Sequence, residues 1–170
     1  MTEKTNFSSP RMRQQSAALS PTVEAFPSAL DESRPHPLPE HKTSGSFAAD
    51  AYARLKKNRV INPGSSALIP LGFQAKNLSA HQALFIVPRS GLALNHQISV
   101  SNSPGLIDSD YTGFEVCAIL INHGKKKFVV SPEDRVCQVY LGERPRAFPF
   151  AFMAVERTGG FGSTDGGSNG

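Results

Sequence analysis

The sequence predicts an all-β fold, a sandwich or barrel built from short strands. Short apolar segments rich in Val, Ile, Leu and Phe recur along the chain, and turn residues separate them at close intervals. No repeating helices lie between these segments, and the combination is typical of all-β domains. The predicted strands are 66–71, 83–87, 98–100, 114–122, 127–130, 135–141 and 148–155.

Two of the segments need separate justification. Segment 114–122 is apolar at both parities, so it predicts a strand that is covered on both faces. In segment 48–57 good helix formers predominate, and Phe47, Ala51 and Leu55 recur at helical spacing. Propensity alone therefore leaves helix and strand equally open for that segment.

The distribution of proline and glycine predicts one folded domain between two arms. Six of the thirteen prolines precede Gly45, in a polar stretch with few large apolar residues, and such a stretch buries too little surface to offset its ordering entropy. We expect residues 1–28 to form a mobile N-terminal arm and residues 29–156 to form the β domain. Residues 157–170 hold six of the fourteen glycines and predict a flexible C-terminal arm.

Composition excludes several classes of protein. No run approaches the roughly 20 apolar residues of a membrane-spanning helix, and the N-terminus lacks the apolar core of a signal peptide, so no membrane partner is expected. Two cysteines are too few for a disulfide scaffold or a structural zinc site. A reducing, cytoplasmic location follows, with the nucleus or an organelle as the alternative in a eukaryote.

The net charge of +4 is mild and suits a small anionic ligand as well as it suits nucleic acid. The most basic stretch is the run Lys125, Lys126 and Lys127. It lies beside turn residues, so we interpret it as a solvated hairpin loop. No nucleic-acid partner is expected.

Polar, glycine-containing segments interrupt the apolar pattern at three places. Arg89, Ser90 and Gly91 directly follow an apolar strand, where a guanidinium, a hydroxyl and a close backbone approach suit a phosphate. Segment 157–164 combines Arg, hydroxyls and glycines whose backbone N–H groups suit a phosphate, but it lacks the Lys and the helix of a P-loop. Taken singly, the first segment also fits an ordinary turn and the second a linker.

The third polar segment is 105–113, which contains two aspartates and a tyrosine. Either aspartate, Asp108 or Asp110, suits a general base, and Tyr111 suits an aromatic platform for a ligand. The alternative is an Asp-rich turn in which Tyr111 serves only for packing.

In their order and spacing, these segments resemble the five motifs of the trimeric dUTP diphosphatases (dUTPases). The resemblance runs from about residue 37 to residue 166. The matching segments are 43–46 with Asp50, 88–93, Asn102 with 105–113, 134–138, and 157–164. This resemblance implies a homotrimer of jelly-roll-like β-barrels, with each active site built from three subunits and the C-terminal arm exchanged between them. It also implies an extended backbone over 48–57.

The resemblance further implies a role for each matching residue in the hydrolysis of dUTP to dUMP and pyrophosphate. Asp108 would activate the water that attacks the α-phosphorus, and Tyr111 would lie under the deoxyribose and exclude a 2′-hydroxyl. Asp50 would contact a water of the Mg²⁺ that the triphosphate carries, with no side chain as a direct metal ligand.

The remaining residues would bind parts of the nucleotide. Those expected to read the uracil edge are Asn102, Leu106, Ile107 and Val116. Those expected to hold the phosphates are Arg89, Ser90, Gly91 and Gln138. Those expected to close the site from the C-terminal arm are Arg157, Phe161, Gly162 and Ser163.

Two alternatives remain open on the sequence. A dCTP deaminase shares the implied fold, but the pattern around its catalytic glutamate is not found here. A nucleotide-binding or regulatory protein with little turnover would keep the pocket; the altered spacing of the fifth motif and the N-terminal arm favour this alternative.

Overall fold

The computed structural model describes residues 19–144, and within that range the chain forms eleven β-strands and one short helix. The strands are β1 (Thr22–Ala25), β2 (Ala49–Tyr52), β3 (Arg59–Ile61), β4 (Ser66–Pro70), β5 (Phe73–Lys76), β6 (Gln82–Val87), β7 (Ile98–Val100), β8 (Gly105–Ile107), β9 (Cys117–Asn122), β10 (Phe128–Val130) and β11 (Arg135–Glu143). The helix is α1 (Ser90–His96). The predicted all-β class is therefore confirmed.

The strands form two larger sheets and two strand pairs, all of them antiparallel. One sheet has the order β2-β11-β6-β8 and the other the order β4-β9-β7. The pairs are β1 with β5 and β10 with β3. Among residues 19–144 these pairings do not close into a barrel, so the jelly-roll closure stays a prediction.

The core lies between the two larger sheets and follows the alternation of side chains along each strand. In β4, Ala67 and Ile69 are buried while the intervening Leu68 is 47% exposed. In β9, Ala118 and Leu120 are buried and the residues between them are half-buried. One face of each strand therefore enters the core. The two-sided cover predicted for segment 114–122 is found only in this partial form.

Within segment 48–57, where the sequence left helix and strand equally open, residues 49–52 form a strand and no helix is present. β2 pairs with β11 on one side, and Asp50 bridges to Glu40 on the other. This pairing on both sides buries Ala49, Asp50 and Ala51 in succession, which a helix on the surface would not do. The helical spacing was misleading because Phe47 is 77% exposed and forms no part of an apolar face.

Helix α1 follows Arg89 at a place where the sequence predicts only the end of a strand. Its seven residues include Leu92, Ala93 and Leu94, which are good helix formers, but none of its side chains is buried. Without a buried face it has no amphipathic pattern, and its short length gives periodicity little to act on. No helix in the part of the chain described here has the length and the apolar character that crossing a membrane requires.

Strand pairing begins N-terminal to the predicted domain boundary at residue 28. β1 pairs along its whole length with β5, and Ser28, which follows it, is fully buried. Three of the four β1 side chains are exposed, so its stability comes from the ladder hydrogen bonds and leaves no apolar signal in the sequence. Residues 1–18, the rest of the predicted arm, and residues 145–170 lie outside the described range.

Candidate functional site

Asp50 in β2 is a buried carboxylate that is surrounded by cationic and amide donors. Its Oδ2 accepts a hydrogen bond from Arg135 Nη1 at 3.0 Å, and its Oδ1 accepts one from Gln138 Nε2 at 2.9 Å. Arg89 Nε lies 3.4 Å from Oδ1. A buried charge is tolerated only when it is paired and hydrogen-bonded, and these contacts satisfy that condition. We call Asp50, Arg89, Arg135 and Gln138 the Asp50 cluster.

The register of β11 assembles this cluster from three distant parts of the sequence. Because β11 lies between β2 and β6, Gln138 is opposite Asp50 on one side and Val87 on the other. Val87 ends β6, and Arg89 follows two residues later, where its Nη1 also donates to the Arg135 carbonyl at 2.8 Å. The structure thus brings together the predicted residues Asp50, Arg89 and Gln138.

The Asp50 cluster has an excess of positive charge at the protein surface. It contains two guanidinium groups and one carboxylate, and the Arg89 and Arg135 side chains are 21% and 45% exposed while that of Asp50 is 5% exposed. Ser90 and Gly91 continue from Arg89 into the first turn of α1, where backbone N–H groups have no intrahelical acceptor. This arrangement suits a phosphate group of a ligand.

Arg135 is a member of the cluster that sequence reasoning did not assign to the site. It lies within the predicted fourth motif, three residues before Gln138. The usable signal was Asp50 itself, because a buried aspartate requires a cationic partner and an arginine in a matching motif is an obvious candidate.

Cys137 lies inside the same motif and is completely buried. Burial raises the pKa of its thiol to about 12, and the negative charge of Asp50 adds to the increase. The thiol therefore stays protonated at neutral pH and acts as a small core residue.

Asp108 lies on a different part of the sheet, directly after the edge strand β8. Ile107 pairs with Leu84 and Leu106 with Phe85, so the outer side of β8 has no strand partner among the described residues. Asp108 and Leu106, which is 55% exposed, line a surface cavity of about 270 Å³ together with His81 and other residues around it. An edge strand offers unpaired backbone N–H and C=O groups, which suit the polar edge of a base.

Asn102 and Tyr111 lie near this edge strand at opposite ends. The Asn102 amide lies over Gly105: a Cβ added at Gly105 would lie 3.5 Å from Asn102 Nδ2. Tyr111 is only 8% exposed, and its hydroxyl donates to the Glu115 carbonyl at 3.3 Å. Its ring centroid lies 5.2 Å from that of Phe114. In this chain Tyr111 is therefore held against segment 114–115 by a hydrogen bond and a ring contact.

Val116, the fourth residue expected to read the uracil edge, does not lie at the surface. Its side chain is completely buried, its N–H donates to the Phe73 carbonyl at 2.8 Å, and its carbonyl accepts from the Leu71 N–H at 2.9 Å. Both backbone groups thus join the residue before β9 to segment 71–73, where the chain passes from β4 to β5. A ligand-binding role for Val116 stays a prediction, and these contacts do not favour it.

The predicted residues form two groups that lie apart within one chain. Along β6, Val87 is opposite Gln138 and Leu84 is opposite Ile107, so the two groups are separated by three strand positions or more. At about 3.3 Å per residue this separation is on the order of 10 Å. Asp108 therefore does not contact the Asp50 cluster within the same subunit.

Four further predicted residues, Arg157, Phe161, Gly162 and Ser163, lie outside the described residues. Within residues 19–144, no group of three or more His, Cys, Asp or Glu side chains is arranged to hold a metal ion. Asp50 is a single carboxylate whose oxygens already accept hydrogen bonds, but a carboxylate has about four acceptor positions. This donor set fits a hydrogen bond to a metal-bound water and does not fit a metal cage made by the protein.

Comparisons with known proteins agree on one family. The sequence model of the dUTPase family matches residues 35–164. The chain is 39% identical over 133 residues to the deoxyuridine 5′-triphosphate nucleotidohydrolase of Chlamydia abortus, covering 78% of this chain and 87% of that protein. It is 43% identical over 132 residues to the enzyme of the same name from Chlamydia pneumoniae, covering 75% of this chain and 90% of that protein.

A solved structure supports the fold. A mutant dUTPase from phage phi11 of S. aureus, described with a structural Mg(II) ion, superimposes with a TM-score of 0.62. The alignment covers 81% of this chain and 100% of that chain at 13% identity. At that identity the likeness concerns the fold alone.

Proposed function

This chain belongs to the dUTPase family, and from that premise we propose how its own residues hydrolyse dUTP to dUMP and pyrophosphate. The reaction limits dUTP and supplies dUMP for thymidylate synthesis. The observation that carries the proposal is the register of β11, which places Gln138 opposite both Asp50 and the end of β6.

The Asp50 cluster holds the phosphates. A triphosphate carries about four negative charges near neutral pH, and its hydrolysis needs fixed positive charge around the transferred group. Arg89 and Arg135 supply this charge, Gln138 supplies an amide donor, and Ser90 and Gly91 add backbone N–H groups. Asp50 keeps both guanidinium groups in place, so they meet the substrate already oriented.

Asp108 acts as the general base for the attacking water, and the nucleoside lies along β8. The backbone groups that β8 leaves unpaired on its outer side, with the amide of Asn102, suit the donors and acceptors of uracil. Tyr111 stiffens the turn after Asp108, because its N–H donates to the Asp108 carbonyl at 3.1 Å. Tyr111 thus helps to position the general base Asp108 through this backbone hydrogen bond, in addition to any contact of its ring with the sugar.

The two groups of residues act on one substrate when they come from different subunits. A general base must reach the reacting water within about 3 Å, whereas Asp108 and the Asp50 cluster are separated by on the order of 10 Å in one chain. A homotrimer in which the Asp108 edge of one subunit faces the Asp50 cluster of another removes this separation. Residues 157–170 from a third subunit, including Arg157, Phe161, Gly162 and Ser163, then close the site.

When bound to the triphosphate, Mg²⁺ would neutralise phosphate charge. Asp50 is the residue placed to accept a hydrogen bond from a water of that ion. Arg89 and Arg135 would hold phosphate oxygens directly.

The test is pyrophosphate release with Mg²⁺ from dUTP, with dCTP, dTTP and UTP as controls, in the wild type and in Asp108→Asn. We expect turnover of dUTP alone and a loss of about 10²–10⁴-fold in kcat for Asp108→Asn, the usual contribution of a general base. Binding of dUTP to the variant should persist, because the phosphate contacts are intact. Release of ammonia from dCTP, measured in parallel, would instead indicate the related deaminase, and binding without turnover in the wild type would indicate a nucleotide sensor.

A further inference from the structure

Glu133 has a backbone conformation that is unusual for a residue with a side chain. Its φ is +62°, in the left-handed region that glycine adopts readily and other residues rarely adopt. Such a conformation is retained only when surrounding contacts determine it. Glu133 directly precedes Asp134 and Arg135, so this turn leads into the strand that carries two members of the Asp50 cluster.

The contacts that hold Glu133 come from the N-terminal part of the fold. Its Oε1 accepts from Arg34 Nη2 at 2.6 Å and from Ser28 Oγ at 3.3 Å. Arg34 and Ser28 are themselves joined, because the Ser28 N–H donates to the Arg34 carbonyl at 2.9 Å. Ser28 is completely buried, which makes this segment a fixed support.

The backbone of the turn connects this support to β2. The Glu133 N–H donates to the Ala53 carbonyl at 2.8 Å, and the Ala53 N–H donates to the Asp134 carbonyl at 2.8 Å. Ala53 follows directly after β2, the strand that holds Asp50. The turn and Asp50 are therefore fixed to the same piece of backbone.

The position of Arg135 depends on this turn more than on the strand ladder. Arg135 pairs with Tyr52, but the register of β11 shifts between Arg135 and Cys137. At such an irregularity the ladder is interrupted, and the residue before it is not held by regular pairing on both sides. Besides its contacts with Arg89 and Asp50, Arg135 is constrained by the turn at 131–134, which Glu133 anchors.

We propose that Glu133 is a positioning residue: through Arg34 and Ser28 it holds the start of β11 so that Arg135 stays on Asp50 and is oriented toward the phosphates. The proposal rests on the proposed function, because it concerns the residues that hold the triphosphate there. It assigns a role in substrate binding to residues 28–34, which precede the segment matched by the family model.

The experiment compares three variants of the full-length protein with dUTP as substrate. Glu133→Gly keeps the left-handed turn and removes the anchor, whereas Glu133→Gln and Arg34→Met each remove the charge and keep most of the side-chain volume. We expect KM to rise about fivefold in each variant, which corresponds to the loss of one partly exposed ion pair. The value of kcat should change less, because the phosphates that Arg135 holds are bound alike in the ground state and in the transition state.

A double variant and a matched control, each also followed by thermal unfolding, separate positioning from a general loss of stability. The double variant Arg34→Met/Glu133→Gln should raise KM no further than either single variant, because both remove the same contact. Glu24→Gln is the matched control, since Glu24 forms a comparable ion pair with Lys76 away from the cluster. It should leave KM unchanged.

Two results would overturn the proposal. One is an unchanged KM in Glu133→Gly and Arg34→Met, with or without a lower melting temperature. The other is multiplication of the single effects in the double variant. Arg135→Ala tests the underlying site separately: if it leaves KM for dUTP unchanged, the proposed function of the cluster fails, whereas a raised KM in Arg135→Ala with a normal KM in Glu133→Gly refutes only the positioning role.

Discussion

The Asp50 carboxylate organises its surroundings because its burial forces it to be paired. Two arginines and a glutamine converge on it, and the same donors then present positive charge to the outside. The pairing of this buried acid with two arginines therefore satisfies its charge and leaves a positively charged surface that suits an anion. A phosphate group adds to this arrangement by neutralising the remaining charge.

His36 illustrates how one buried residue makes stability depend on pH. It is 2% exposed, and its Nε2 lies 3.3 Å from the Tyr52 carbonyl, which can only accept; Nε2 therefore carries the hydrogen of the neutral ring. Its Nδ1 is buried and has no hydrogen-bond partner among the described residues. Burial lowers the pKa of His36 below its ordinary value of 6.5, and the hydrogen bond to Tyr52 opposes this only in part.

The stability of the protein should consequently fall on mild acidification. Since the pKa of His36 is lower in the folded protein, the unfolded chain takes up the proton first as pH decreases. The contribution of neutral His36 is complete above about pH 6.5 and decreases below it, toward the lower pKa of the folded state. Melting temperatures measured between pH 8 and pH 5 should show this decline.

Two histidine variants provide the comparison. His36→Asn should flatten the dependence of the melting temperature on pH, and replacement of the exposed His41 by Asn should leave the wild-type slope. A slope in His36→Asn that equals that of the wild type would contradict the assignment.

Among the elements, the turn between β4 and β5 shows how a glycine allows close packing. Gly72 has a φ of +75°, and a Cβ there would lie 2.0 Å from His36 Cδ2. The glycine thus gives the His36 ring the space that a side chain would occupy. Its own N–H donates to Glu115 Oε1 at 2.8 Å, which ties the turn to the loop that precedes β9.

Gly72→Ala should therefore be far more destabilising than Gly64→Ala. Gly64 has nearly the same φ, +72°, but a Cβ there would meet nothing within 4 Å. The backbone cost common to both is about 1–2 kcal/mol, and overpacking against His36 adds about 1–3 kcal/mol at Gly72 alone. Urea unfolding at one fixed protein concentration measures both changes. Equal losses would mean that His36 moves aside without cost.

The elements also show where sequence patterns succeed and where they do not. Strand β7 was predicted at its observed bounds, because Ile98 and Val100 face the core and the residue between them does not. β8 and β1 were not predicted as strands: the one buried residue of β8 is a glycine, and β1 buries almost no side chain. Periodicity needs apolar side chains on a buried face, and both elements lack them.

At the scale of the whole molecule, the separation of Asp108 from the Asp50 cluster predicts that active sites form between subunits. We expect a mass in solution of three times the chain mass of 18.3 kDa. Asp108→Asn and Arg89→Ala should each be nearly inactive as homotrimers. Mixed trimers assembled from equal amounts should recover about a quarter of the wild-type activity. A site is intact only when the subunit that supplies Asp108 is the Arg89→Ala chain and the subunit that supplies Arg89 is the Asp108→Asn chain, and each condition is met in half of the cases.

The mixing experiment has a clear contrary result. If Asp108 and Arg89 serve the same site from one chain, no mixed trimer has an intact site and activity stays at the level of the parents. Mixing Asp108→Asn with Asp108→Ala is the control, since it restores no site under either arrangement. A mass equal to that of one chain would also contradict the shared site.

The sequence by itself determined the fold class and most of the candidate residues of the site. Alternation of apolar side chains depends on neighbours along the chain, so it predicts strands locally. The residue types at Asp50, Arg89, Asp108 and Gln138 likewise indicated phosphate and base chemistry, through their resemblance to family motifs. Their roles as catalytic and binding residues stay predictions.

Only the tertiary structure decided which of these residues meet. Asp50 is 85 residues from Arg135 and 88 from Gln138, and their contact depends on the register of β11 between β2 and β6. A strand pattern specifies which face of a strand is buried and does not specify its partner strand. The same reason applies to Arg135 and Glu133: their importance comes from contacts with distant residues, which exist only once the sheet has assembled.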